Sequence, residues 1–310
     1  MQGKGTSGKN QPNHEKCSGW QRSTEAGGRN AFSLIAVAVA FGICGLLLYF
    51  GYQSVESEIV DRSWDVVVTG DSIIGKERTD GPVNAYFEEY SGMTMLNGAF
   101  GGNCASVGEN ADRYSFHEES ISLYHLAKAA CYRDFGVQWA DLAASQTKIG
   151  YFEEALAGLS SADLRQTEFL MLSFGTNDYT NGRQLDDPQD PYNVKTYGGS
   201  LRYAIELFQK TYPDLRIVLV TPPYCHLTGW ENCFETDFGG GTLDQYVELE
   251  KEIGAQYGVY VIDAFRESGI DETNYEEYME GGLHFNRAGR ELYGRFLAEE
   301  MMELSKETNK

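Results

Sequence analysis

The sequence predicts an α/β protein, a mainly parallel sheet covered by helices, with one membrane-spanning helix ahead of it. Short apolar runs alternate with longer amphipathic stretches from residue 64 to the C-terminus, the pattern of strands joined by crossover helices. The apolar runs are nearly continuous, as expected for strands buried on both faces. Ala31 to Phe50 is a run of 20 residues with one serine and no charge. As a helix it spans roughly 30 Å, the thickness of a bilayer core.

Residues 1–30 are rich in Gly, Ser, Asn, Gln and Lys and read as a disordered cytoplasmic tail. Residues 31–52 read as a transmembrane signal anchor. The apolar run is longer than a cleaved signal's core, and no A-x-A-like site follows it. Its flanks are basic before and acidic after (Glu56, Glu58, Asp61), which predicts a cytoplasmic N-terminus and an extracytoplasmic body, residues 53–310. In that body Trp64 to Thr69 reads as the first strand. A helix follows from Pro82, a favoured first helical residue. Met93 to Asn97 is a second strand, followed by a glycine-rich loop to Gly102. Residues 117–131, 136–146 and 151–159 look helical, and Glu168 to Phe174 is the next strand. Leu201, Ala204, Ile205 and Phe208 share one face of a helix over 197–212. Arg216 to Thr221 is a strand stopped by Pro222-Pro223, and Leu243 to Tyr257 is a helix. Val259 to Ile262 is the last strand and Arg287 to Leu304 the closing helix. No internal repeat is visible.

Charge narrows the function. The chain carries 25 Lys and Arg against 46 Asp and Glu, a net charge of -21. A phosphate-neutralising nucleic-acid binder needs the opposite sign. Residues 1–52 hold five cations and two acids, leaving 20 cations and 44 acids in 53–310. Six cysteines are too few for a disulfide-built fold. Cys225 and Cys233 flank a short loop, a spacing that allows a pair. No His, Cys and acid spacing resembles a zinc site, and no metal or cofactor is expected.

In open parallel sheets reactive groups sit at the carboxyl ends of strands. Here those ends read Gly70-Asp71-Ser72, Gly101-Gly102-Asn103 and Gly175-Thr176-Asn177-Asp178. A serine on a strand-to-helix turn has an exposed hydroxyl beside unpaired helix-start N–H groups, which suits a nucleophile; helix capping is the competing reading of Ser72. Asn177 has an amide able to donate to an oxyanion, or is a turn residue. Gly102 can present a backbone N–H without steric obstruction. No Lys stands at the Walker position, so a phosphate loop is disfavoured. His284, just before the last helix, is placed to act as a general base if the chain returns it to Ser72. His226 follows the Pro-Pro turn and is a second candidate for the cleft.

These four blocks, in this order, resemble the SGNH, or GDSL-type, hydrolase family. Gly-Asp-Ser at 70–72, Asn97 with Gly102, Gly175-Thr-Asn-Asp178 and Leu283-His284-Phe-Asn match its motifs over residues 64–304. The resemblance implies a flavodoxin-like three-layer α/β/α sandwich and metal-free ester hydrolysis through an acyl-serine. Ser72 would attack, His284 would carry the proton, and the Ser72 and Gly102 N–H groups with the Asn177 side chain would form the oxyanion hole. The family's acid, three residues before the histidine, is here Gly281. Glu280 is the expected substitute, with Asp263, Asp271, a backbone carbonyl or a Ser–His dyad without an acid as alternatives. The stretch 107–165 is a helical insertion suited to a lid or substrate wall. The expected substrate is an acyl ester, an acylated extracytoplasmic polysaccharide being the specific choice. Acyl transfer to such a glycan and glycan binding without catalysis are the competing functions.

Overall fold

The computed structural model describes residues 62–108, 120–145 and 149–308. Five strands form a parallel sheet in the order β2-β1-β3-β4-β5: β1 (Val66–Gly70), β2 (Met95–Asn97), β3 (Phe169–Ser173), β4 (Arg216–Val220) and β5 (Tyr260–Ile262). This is the flavodoxin-like order, with its switch point where β1 meets β3.

Successive strand residues point to opposite faces, and both faces are buried. Val66, Val68, Phe169, Met171, Val218 and Val220 pack beneath α2 (Val83–Ser91) and the closing helix α11 (Arg287–Thr308). Val67, Leu170, Leu172, Ile217 and Leu219 pack against α3 (Leu123–Tyr132), α7 (Tyr197–Thr211) and α8 (Leu243–Tyr257). The result is three layers. β1 and β3 touch so closely that a Cβ at Gly70 would collide with the Ser173 carbonyl.

The described part of the insertion is helical, with α4 (Gly136–Ala144) and α5 (Gly150–Ser161) following α3. Phe135, Phe152 and Leu156 bury a small core of their own around Phe100, the rings of Phe100 and Phe152 meeting edge-on at 5.2 Å. α5 runs from the cleft described below to the opposite end of the sheet. There Arg62 bridges Ala162, its N–H donating to Ser161 O at 2.9 Å. The chain therefore enters the fold at the end of β1 remote from Ser72.

Four pieces are too short to announce themselves in sequence: α1 (Ser72–Gly75), α6 (Thr176–Thr180), α9 (Ala264–Glu267) and α10 (Tyr275–Tyr278). A two-residue hairpin, β6 (Met279–Glu280) against β7 (His284–Phe285), is the fifth. α3 begins later than expected, because Ser122 is extended (ψ 157). No disulfide joins the four described cysteines. Cys225 and Cys233 are buried side by side as thiols. No helix among the described residues is long and apolar enough to cross a membrane. The expected tail and anchor, residues 1–52, lie outside the described residues.

Candidate active site

β1 delivers the chain into a tight turn. The Asp71 N–H continues the ladder to Ser173 O (3.2 Å), and its carboxylate caps α1 by accepting from the Ile73 N–H (2.9 Å). The cap is thus Asp71, and Ser72 is left with its hydroxyl free for other work. Burial pushes the Asp71 carboxyl up to about 7, against the opposing pull of the Ile73 N–H.

His284 comes back to Ser72 from 212 residues away, its Nε2 3.0 Å from Ser72 Oγ. Two arginines hold the separate segments in register. Arg290 donates to Gly81 O (2.9 Å) and Asp80 O (2.8 Å) on the nucleophile side, and to Phe285 O (3.0 Å) beside the histidine. Arg78 donates to Gly75 O (2.9 Å), Asn97 O (2.7 Å) and Ala99 O (2.8 Å), joining α1 to the glycine loop. Asp178, fully buried, accepts from Ala105 N (2.8 Å), Ser106 N (3.0 Å) and Ser106 Oγ (2.6 Å), and so fixes the far side of that loop.

Ser72, Gly102, Asn177 and His284 all line one cleft of about 370 Å3. Gly102 sits at φ +74, a conformation that favours glycine. The Asn177 Nδ2 is buried, has no acceptor at full hydrogen-bond distance among the described residues, and stands near enough to Asp71 to pull its carboxyl downward. Such an unpaired donor is costly unless something uses it. Ile149 and Tyr151, from the insertion, form part of the cleft wall, with Leu227 and Leu283 completing its apolar lining. The described part of the insertion thus reaches the cleft.

The acid is the point of departure. Glu280 stands opposite His284 in the β6–β7 pair, and its side chain is exposed. Among the described residues no hydrogen bond joins the two. Burial, and after it the Lys76 ammonium, lower His284 to about 4, against the upward pull of the Glu280 charge. Glu280 thus acts on the imidazole through space. It shares with Ser72, Lys76 and His284 a smaller hollow of about 180 Å3. Asp263 is engaged by Lys251 (2.7 Å) and Arg266 (3.3 Å), and Asp271 by its own turn, so neither supports His284. His226 stands in an adjoining groove and does not line this cleft.

Sequence reasoning missed Lys76, Arg78 and Arg290. Only Lys76 carried a signal, standing four residues after Ser72 and so on the same side of a helical turn.

The sequence model of the GDSL-like Lipase/Acylhydrolase family matches residues 69–292. A rat protein, isoamyl acetate-hydrolyzing esterase 1 homolog, is 24% identical over 139 residues, 42% of this chain; the match spans only about half (54%) of the rat protein. A solved structure of a Lactobacillus plantarum protein overlays with a TM-score of 0.53 at 17% identity, covering 77% of this chain and 97% of that one. Another overlays at 0.57 with 18% identity, covering 78% and 97%. The structural likenesses speak for the fold. The family match runs from the end of β1 into α11 and takes in every block at the cleft. On that match the chain belongs to the GDSL-like lipase/acylhydrolase family of ester hydrolases.

Proposed function

We propose that the protein is a serine esterase that removes acyl groups, acetyl foremost, from an extracytoplasmic glycan through an acyl-serine intermediate. The observation that carries this reading is the 3.0 Å approach of His284 Nε2 to Ser72 Oγ on the wall of a cleft that also holds the unpaired Asn177 amide. His284, neutral at ordinary pH because burial and Lys76 lower it to about 4, takes the Ser72 proton as Oγ attacks the ester carbonyl. The Ser72 and Gly102 N–H groups and Asn177 Nδ2 receive the oxyanion. The imidazolium returns the proton to the leaving alcohol, and water, activated by the same imidazole, releases the acid. Glu280 stabilises the imidazolium through space in place of a bonded carboxylate.

An acetate ester is the substrate in the rat relative's name, and the modest cleft suits a small acyl group. Anchoring through Ala31 to Phe50 with residues 53–310 outside is part of the same proposal, supported by the basic-apolar-acidic order of the sequence. The test is turnover of acetyl and longer-chain esters with fluorophosphonate labelling, for wild type and Ser72→Ala. Wild type should turn over the acetyl ester fastest and label, and the variant should do neither. Unaltered turnover in the variant would sink the mechanism.

A further inference from the structure

Next to the cleft lies a groove of about 720 Å3 that ester cleavage does not use. Its wall is aromatic: the His226 and Tyr275 rings are stacked at 4.9 Å and 22°, and Tyr224 lies 5.9 Å from Tyr275. Its rim carries Glu272, Glu276 and Glu277, all exposed and none ion-paired among the described residues, and no Lys or Arg lines it. Tyr224 supplies an independent observation. It is 2% exposed, and its hydroxyl is buried without a hydrogen-bond partner among the described residues. A buried phenol left unpaired costs stability, and a polar ligand in the groove would offer it a partner.

The wall between groove and cleft is one backbone thick. The His226 N–H donates to Gly282 O at 2.8 Å, and a Cβ at Gly282 would overlap the His226 carbonyl. The next residue of each segment, Leu227 and Leu283, faces the catalytic cleft. Groove and cleft are therefore neighbours across a single wall.

We propose that this groove is a subsite for a hexosamine unit with a free, protonated amine, next to the esterified unit of the same glycan. The inference rests on the glycan reading above. A flat aromatic wall receives the face of a sugar ring, Asn232 and the Tyr224 hydroxyl meet its hydroxyls, and the carboxylates of Glu272, Glu276 and Glu277, which have no cationic partner among the described residues, select an ammonium and repel a uronate.

The test uses full-length protein. Binding of glucosamine, N-acetylglucosamine and galacturonate oligomers, and of lysine, is measured calorimetrically on Ser72→Ala. Glucosamine oligomers should bind most tightly and galacturonate not at all. Tyr275→Ala, and separately the surface pair Glu276→Gln with Glu277→Gln, should weaken that binding roughly tenfold, the worth of one good cation or ring contact. In the Ser72-containing enzyme the same changes should raise KM for O-acetylated glucosamine oligomers by about the same factor, leaving kcat/KM for 4-nitrophenyl acetate unchanged. Galacturonate or lysine binding as tightly as the glucosamine oligomer would overturn the assignment, as would binding indifferent to both variants. A protein that cleaves 4-nitrophenyl acetate yet binds no oligomer loses the subsite alone. One that binds glucosamine oligomers but neither labels nor cleaves any ester loses the esterase reading and keeps the subsite.

Discussion

Lys76 and Glu280 act on His284 with opposite sign, and that opposition is measurable. A neighbouring cation disfavours the imidazolium, so removing it lets the pKa rise from about 4 toward the ordinary 6.5. Lys76→Met should therefore move the acid limb of the kcat/KM profile for a neutral ester toward higher pH. Glu280→Gln should move it lower. With an exposed carboxylate acting only through space, kcat should fall less than about fivefold, the scale of a solvent-screened charge pair. A pH profile identical in all three proteins would show that neither charge reaches the imidazole. Asn177 carries a larger stake. Losing one oxyanion donor costs about 100–1,000-fold in kcat, and Asn177→Ala should show that loss with KM little changed. Ser72, Gly102, Asn177 and His284 were legible because each stands at a strand end or helix start in a motif with its own chemistry. Arg78 and Arg290 were not, because they donate to main-chain carbonyls, and acceptors of that kind leave no mark in the sequence.

Strands and long helices were readable for a physical reason. A strand buried on both faces must be apolar throughout, as Val66 to Val68 and Ile217 to Val220 are, and a covering helix must show one apolar stripe. The β6–β7 hairpin has two residues a side, too few for any period to register, yet it is the element that aims His284. Its hold on the nucleophile turn passes through Arg290. Arg290→Met would strand three carbonyls and loosen the 3.0 Å Ser72–His284 approach. We expect kcat to drop at least about tenfold, with Arg290→Lys, which keeps the charge but lacks the planar fork, recovering only part. If both variants match wild type in kcat, the clip has no role in positioning. α8 offers a contrast. Thr242 and Gln245 form a reciprocal capping box and do not line the cleft, so Thr242→Ala should cost about 1 kcal/mol in denaturant unfolding and leave kcat untouched.

At the scale of the molecule, an acidic body follows a basic, apolar N-terminal stretch, and the proposed topology makes a direct prediction. Protease added to intact cells should remove the body, whereas full protection, or a mature N-terminus near residue 53, would contradict an anchored extracytoplasmic enzyme. The three-layer architecture was legible as alternation; the strand order was not, because nothing local tells β3 to lie beside β1. The place where the chain joins the fold has a practical side. Arg62 pairs with Ala162 at one end of the sheet and Ser72 opens the cleft at the other, with the five residues of β1, about 17 Å of strand, between them. A bead, electrode or fusion partner coupled directly at Arg62 is thus attached behind the catalytic mouth. Enzyme immobilised by that end should retain its full rate toward polymeric substrates, where coupling at random through surface lysines, Lys76 among them, would block the mouth in a fraction of the molecules.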